Sequence, residues 1–164
     1  MKPLSFSVCA LLLFGSLNVL GTDLPTKLAM NTFLTTVKAG DSALATSLVY
    51  QLHGSEQRIQ GRVRSIVQRA KVANATPEFT DAREYDTISL VIVKDTAKTK
   101  EGKEDYDALF FLKRDGKWLL VLGIAEVEDR KDILTSDERD QLKLLRDWQD
   151  IRMRELTQQG VEKK

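Results

Sequence analysis

General acid or base catalysis needs a titratable side chain held beside a second one, and this 164-residue sequence contains a single histidine, His53. His53 precedes Gly54, where a polar side chain suits the free carbonyls at a helix end, so a capping or solvated role accounts for it. Tyr85, Asp86, Tyr106 and Asp107 flank expected strand ends. Turn chemistry and strand propensity explain those types equally well, and none has a titratable partner at a diagnostic spacing. No catalytic residue is assigned. Arg58, Arg62 and Arg69 fall on one side of an expected helix with Ser65 between them. Such a strip can meet an anion such as a phosphate, an acidic glycan or a lipid head group; a solvated helix face is the competing account.

Metal chemistry has little to work with. The one cysteine, Cys9, lies in the N-terminal apolar run, one histidine cannot form a cluster, and no calcium-loop pattern is present. Nucleophile-elbow and phosphate-loop patterns are also missing, so neither metal nor cofactor is expected.

The start of the chain reads as an export signal. Lys2 precedes an apolar run through Val8, Ala10, Leu11, Leu12, Leu13 and Phe14, which closes at Val19-Leu20-Gly21. Ser5, Ser7, Gly15, Ser16 and Asn18 interrupt that run, which disfavours a retained span of ~20 apolar residues. Cleavage near Gly21 removes Lys2 alone from the charged residues, leaving 24 basic against 24 acidic side chains. A neutral, cysteine-free domain delivered to the periplasm or the exterior follows, held by its core alone. Its charge balance lacks the basic footprint of a nucleic-acid binder, and no polybasic run points to a membrane surface.

Periodicity assigns the elements that must position these residues. Met30, Phe33, Leu34 and Val37 share one helix face, ended by Gly40. Asp41 caps a second helix with Leu44, Ala45, Leu48, Val49 and Leu52 on one side, and Ser55 opens a third with Ile59, Val63, Ile66 and Val67 inward. After Pro77 the period falls to two. Strands are expected over Glu78–Tyr85, Thr87–Val93, Tyr106–Arg114 and Lys117–Ala125, the last two joined at Asp115-Gly116, a pair suited to a tight hairpin. A polar, lysine-rich connection with Lys94, Lys98, Lys100 and Lys103 separates the middle strands. Thr135-Ser136-Asp137-Glu138 has capping-box spacing and opens a helix expected to run to Gln159.

The strands do not alternate between apolar and polar residues as a half-wet sheet would. Ile88, Leu90 and Ile92 point one way, Val91 and Val93 the other, and the next two strands repeat the pattern. The N-terminal helices can cover one face; the other must meet the C-terminal helix, a second copy or a different partner. That helix has an apolar arc of ~200°, about twice the ordinary width. Leu144, Trp148 and Ile151 form the side furthest from Leu142 and are the expected interaction surface.

The stretches Val37-Lys38-Ala39-Gly40-Asp41 and Phe111-Leu112-Lys113-Arg114-Asp115-Gly116-Lys117-Trp118, in a chain that runs from helices into an antiparallel sheet, resemble the cystatin-like, nuclear-transport-factor-2-like superfamily. The resemblance implies an α+β fold in which N-terminal helices pack on a curved antiparallel sheet of about four strands, with a long C-terminal helix added. With the N-terminal run read as a signal peptide over 1–21, the superfamily-like domain is expected over 22–130, followed over 131–164 by a C-terminal helix that departs from the compact superfamily pattern. Superfamily members include enzymes working from a cone-shaped pocket as well as non-catalytic exported domains, so fold alone selects no reaction. The reading preferred is a non-catalytic exported binding module that associates with a copy of itself or an envelope protein; the rival is an enzyme or carrier holding a small molecule in a cone pocket.

Overall fold

The computed structural model describes residues 24–72, 77–95, 105–128 and 130–162. The expected signal sequence, Asp23 as the expected cap of the first helix, and most of the lysine-rich connection lie outside the described residues. Helices α1 (Pro25–Ala39), α2 (Ser42–Ser47) and α3 (Glu56–Val72) precede strands β1 (Glu78–Glu84), β2 (Ile88–Asp95), β3 (Asp105–Arg114) and β4 (Lys117–Val121); a short α4 (Ala125–Glu128) leads to α5 (Ser136–Glu162).

Local chemistry explains most boundaries. Pro25 occupies the first turn of α1, where its missing N–H costs nothing. Gly40 ends that helix at φ 81°, with its N–H turned back to Thr36 and Val37. The Asp41 side chain accepts from Leu44 N at 2.9 Å to cap α2. Asp115 and Gly116 both take positive φ, 51° and 75°, closing the β3–β4 hairpin as its sequence requires. In the expected capping box, Thr135 Oγ1 accepts from Glu138 N at 3.2 Å and Glu138 Oε2 from Thr135 N at 2.9 Å.

Three boundaries depart from periodicity. Helix α2 stops at Ser47, because Leu48–Tyr50 leaves the helix to lie along β4: Leu120 N donates to Leu48 O and Tyr50 N to Leu120 O. Strand β4 stops at Val121 rather than Ala125. Gly123 turns the chain at φ 99° and its carbonyl accepts from Glu126 N, starting α4 from residues whose apolar spacing mimics a strand. Helix α5 continues through Gly160 to Glu162.

The sheet is antiparallel in the order β1-β2-β3-β4. Its register places Ile88, Leu90 and Ile92 opposite Leu112, Phe110 and Ala108, and Ser89, Val91 and Val93 opposite Phe111, Leu109 and Asp107. Since neighbours along a strand face opposite ways, these are the two faces. Every residue from Ile88 to Val93 is buried. Helix α1 lies against the second face, with α2 and α3 packed on α1, while α5 crosses the first. The protein's own C-terminal helix therefore covers the sheet face that sequence left open, and the sheet needs no outside partner.

Candidate functional site

Two surfaces gather the residues that sequence singles out. On α3, Arg58, Arg62, Ser65 and Arg69 recur at spacings of four, three and four, which keeps them on one side of the helix. Their partner is Glu126 on α4, which no periodicity or motif singles out. Arg58 Nη2 donates to Glu126 Oε2 at 2.5 Å and to Ser55 Oγ at 2.9 Å. Arg62 Nη2 lies 3.1 Å from Glu126 Oε1, and its Nη1 donates to Leu122 O at 3.0 Å. Two guanidinium groups thus grip one carboxylate. Gly123 permits the approach: a Cβ at that position would stand 3.0 Å from Arg62 Nη1. The sequence signal for Glu126 is faint, a glycine followed three residues later by an acid at the end of an apolar strand.

Arg69 is not part of this clamp. Its Nε donates to Ser65 O at 3.4 Å within α3. Beside it, Arg62, Ser65, Ile66 and Arg69 face Leu122 and Gly123 across a shallow cleft of about 350 Å³.

The second surface is the outer side of α5. Leu142 and Leu145 are buried against the sheet and Leu156 is buried near the helix end. Leu144 and Ile151 remain 52% and 54% exposed, and Trp148 between them is half-buried with one side packed on the core. Leu28, Leu44 and Val72 are also exposed, but singly, on three separate helices.

Among the described residues, two charged contacts fix helix α5 to the sheet, and a third, Arg146 Nη2 to Glu128 Oε2 at 2.5 Å, ties it to α4. Near its start the Glu138 carboxylate, buried, accepts from Arg114 Nη1 at 2.8 Å, Arg114 Nη2 at 3.1 Å and Thr87 Oγ1 at 2.7 Å. Burial works to raise the Glu138 pKa, but hydrogen bonds from Arg114, Thr135 N–H and Thr87, with the Arg114 charge, outweigh it and hold the carboxyl below its ordinary value. Further along, Arg152 Nε donates to Asp81 Oδ2 of β1 at 2.6 Å.

The other residues weighed for catalysis are dispersed. His53 is fully solvent-exposed in the turn before α3, beyond the end of α2, with Nδ1 3.7 Å from Glu56 Oε1. Tyr85 and Asp86 sit in the β1–β2 turn, Tyr106 and Asp107 on β3. Beneath α1 the space that a cone pocket would occupy is taken by core side chains: Met30, Phe33 and Val37 with Val63 and Phe111 are buried in one cluster, and Leu34 and Trp118 pack against it. Phe110 lies on the opposite sheet face. Among the described residues no group of three or more histidine, cysteine or acidic side chains could hold a metal ion, and no helix is long and apolar enough to cross a membrane.

No family model and no curated protein matches the sequence. The resemblance to NTF2-like and cystatin-like folds recurs among solved structures. An NTF2-like protein from Campylobacter jejuni is 15% identical, with a TM-score of 0.46 over 61% of this chain and 99% of that one. An NTF2-like protein of unknown function from Silicibacter pomeroyi is 14% identical, with a TM-score of 0.40 over 59% and 90% of the two chains. An uncharacterized cystatin-fold protein from Novosphingobium aromaticivorans is 10% identical, with a TM-score of 0.39 over 60% and 97%.

Proposed function

We propose that this protein is an exported, non-catalytic interaction module that associates with a second copy of itself through the outer side of α5. The observation that carries the reading is the pair Leu144 and Ile151, each more than half exposed on one side of a helix, with Trp148 between them. Isolated exposed apolar residues are ordinary; a contiguous line is not. Export is inferred from the N-terminal run and its small-residue exit.

Charge favours an identical partner. Along the rim of this line stand Asp140 toward the start of the helix and Arg154 toward its end, both exposed, with Asp147 midway. Two antiparallel copies crossing near Asp147 bring each Asp140 beside the other's Arg154, and the twofold arrangement is self-complementary. The two Asp147 side chains meet near the axis and weaken the pair. With so few apolar anchors the contact is small, in the class of weak, reversible interfaces.

Light scattering on the eluting mature protein, followed from low to high micromolar concentration, tests this. The mass is expected to rise toward that of a dimer, and the double variant Leu144→Glu, Ile151→Glu to stay monomeric with an unchanged fold, since both positions are solvent-facing. Asp140→Arg should weaken association and Arg154→Asp restore it in the double exchange. A wild-type protein that remains monomeric throughout refutes the reading.

A further inference from the structure

We propose that the cleft between the C-terminal half of α3 and the β4–α4 link binds a small organic carboxylate with a short apolar body. The protein displays the donor chemistry in its own structure. About two turns earlier on the same helix side, Arg58 and Arg62 already hold a carboxylate, that of Glu126, with Ser55 Oγ adjoining. Going along α3, Ser65 and Arg69 repeat the same pair of side-chain types, but with no acidic side chain of the described residues placed between them. Arg69 uses only Nε, toward its own helix. Its two Nη groups make no hydrogen bond or ion pair with any described residue, and the guanidinium fork is available for two-point recognition of a planar carboxylate.

The cleft also says what lies behind the charged group. Ile66 and Leu122, both half-buried, form apolar wall, and Gly123 contributes no side chain. At about 350 Å³ the space is at the lower end of the range for small-molecule sites. It suits a few methylenes or one ring rather than a sugar chain or a nucleotide. A bare inorganic anion would leave the apolar wall unused. Glu126 stands at one end as a fixed negative charge on the shared residue Arg62, so it tempers the affinity of the cleft and limits it to one anionic group.

Titration of the ¹⁵N-labelled protein with sodium hexanoate, in parallel with acetate and inorganic phosphate, tests the proposal. Hexanoate is expected to give saturable amide shifts centred on Ser65–Arg69 and Leu122–Gly123, with acetate and phosphate several-fold weaker. Arg69→Gln should weaken hexanoate about tenfold, in line with loss of a charge-assisted bond. Arg69→Lys, which keeps the charge and loses the fork, should fall between. Glu126→Gln should tighten binding a few-fold. Absence of saturable shifts, equal affinity for phosphate, or an Arg69→Gln protein that binds hexanoate like the wild type would each overturn the assignment. The variants alter exposed or half-exposed side chains, and the amide spectrum reports directly whether each is folded.

Discussion

The two faces of the sheet are covered in different ways. On the Val91 and Val93 side, hydroxyl hydrogen bonds rather than ion pairs tie α1 down among the described residues: Thr26, fully buried, donates through Oγ1 to the Glu84 carboxylate at 2.7 Å, and Ser89 Oγ lies 3.2 Å from Thr26 Oγ1 and 3.1 Å from Arg83 O. On the Ile88, Leu90 and Ile92 side a single helix does the covering, and charged groups fix it at Glu138–Arg114 and Arg152–Asp81. Three helices that pack on one another need few pins. A lone helix at the end of the chain has no neighbouring layer to hold its position, so its apolar stripe gives adhesion while the ion pairs set where it lies.

This contrast makes graded predictions for thermal or denaturant unfolding. Leu145, fully buried on the inner side of α5, contributes to the adhesion; Leu145→Ala is expected to cost about 2–5 kcal/mol. A loss under 1 kcal/mol would mean that α5 contributes little to folding. Glu138→Gln should cost about 2 kcal/mol, because it leaves Arg114 without its carboxylate in a half-buried setting. The same change reads out in pH. The Glu138 carboxyl is held below its ordinary 4.5, so its contribution is complete above that value and is lost as pH falls through the lower, folded pKa. The wild type should therefore lose stability more steeply than Glu138→Gln in that acid range, and parallel curves would remove Glu138 from the account. Ser89→Ala, on the opposite face, should cost only about 1 kcal/mol, with little dependence on pH. If it exceeded Glu138→Gln, the distinction between the faces would fail.

Much of the architecture is legible in the residues themselves. Doubly apolar strands demand two covering layers, and both are present. The Asp115-Gly116 hairpin and the Thr135–Glu138 capping box are encoded within four residues, so local reasoning reaches them. Where long-range pairing decides, it does not. Helix α2 ends early because Val49 meets Leu120, a partner far along the chain. Leu120, Leu122 and Ile124 keep strand-like spacing across Gly123, although the backbone turns there. At the site, Arg58, Arg62 and Arg69 are visible as a helical strip, but which of them is engaged depends on Glu126, 68 residues from Arg58. Only the fold brings that acid within reach, and it separates Arg69 from the other two. The outer line on α5 was readable as excess apolar arc; that Trp148 turns partly inward while Leu144 and Ile151 do not follows from how α5 is seated.

The bridge between Leu48–Tyr50 and Leu120 has a consequence for how the chain behaves in a crowded compartment. It masks the exposed backbone of β4 with a piece of the protein itself, so that among the described residues β1 is the margin of the sheet without a neighbouring strand. That margin is broken by a register slip between Phe79 and Asp81 and carries Glu78, Asp81, Arg83 and Glu84. A stray strand finds no straight, uncharged template there, so runaway fibril growth through the β-layer is discouraged.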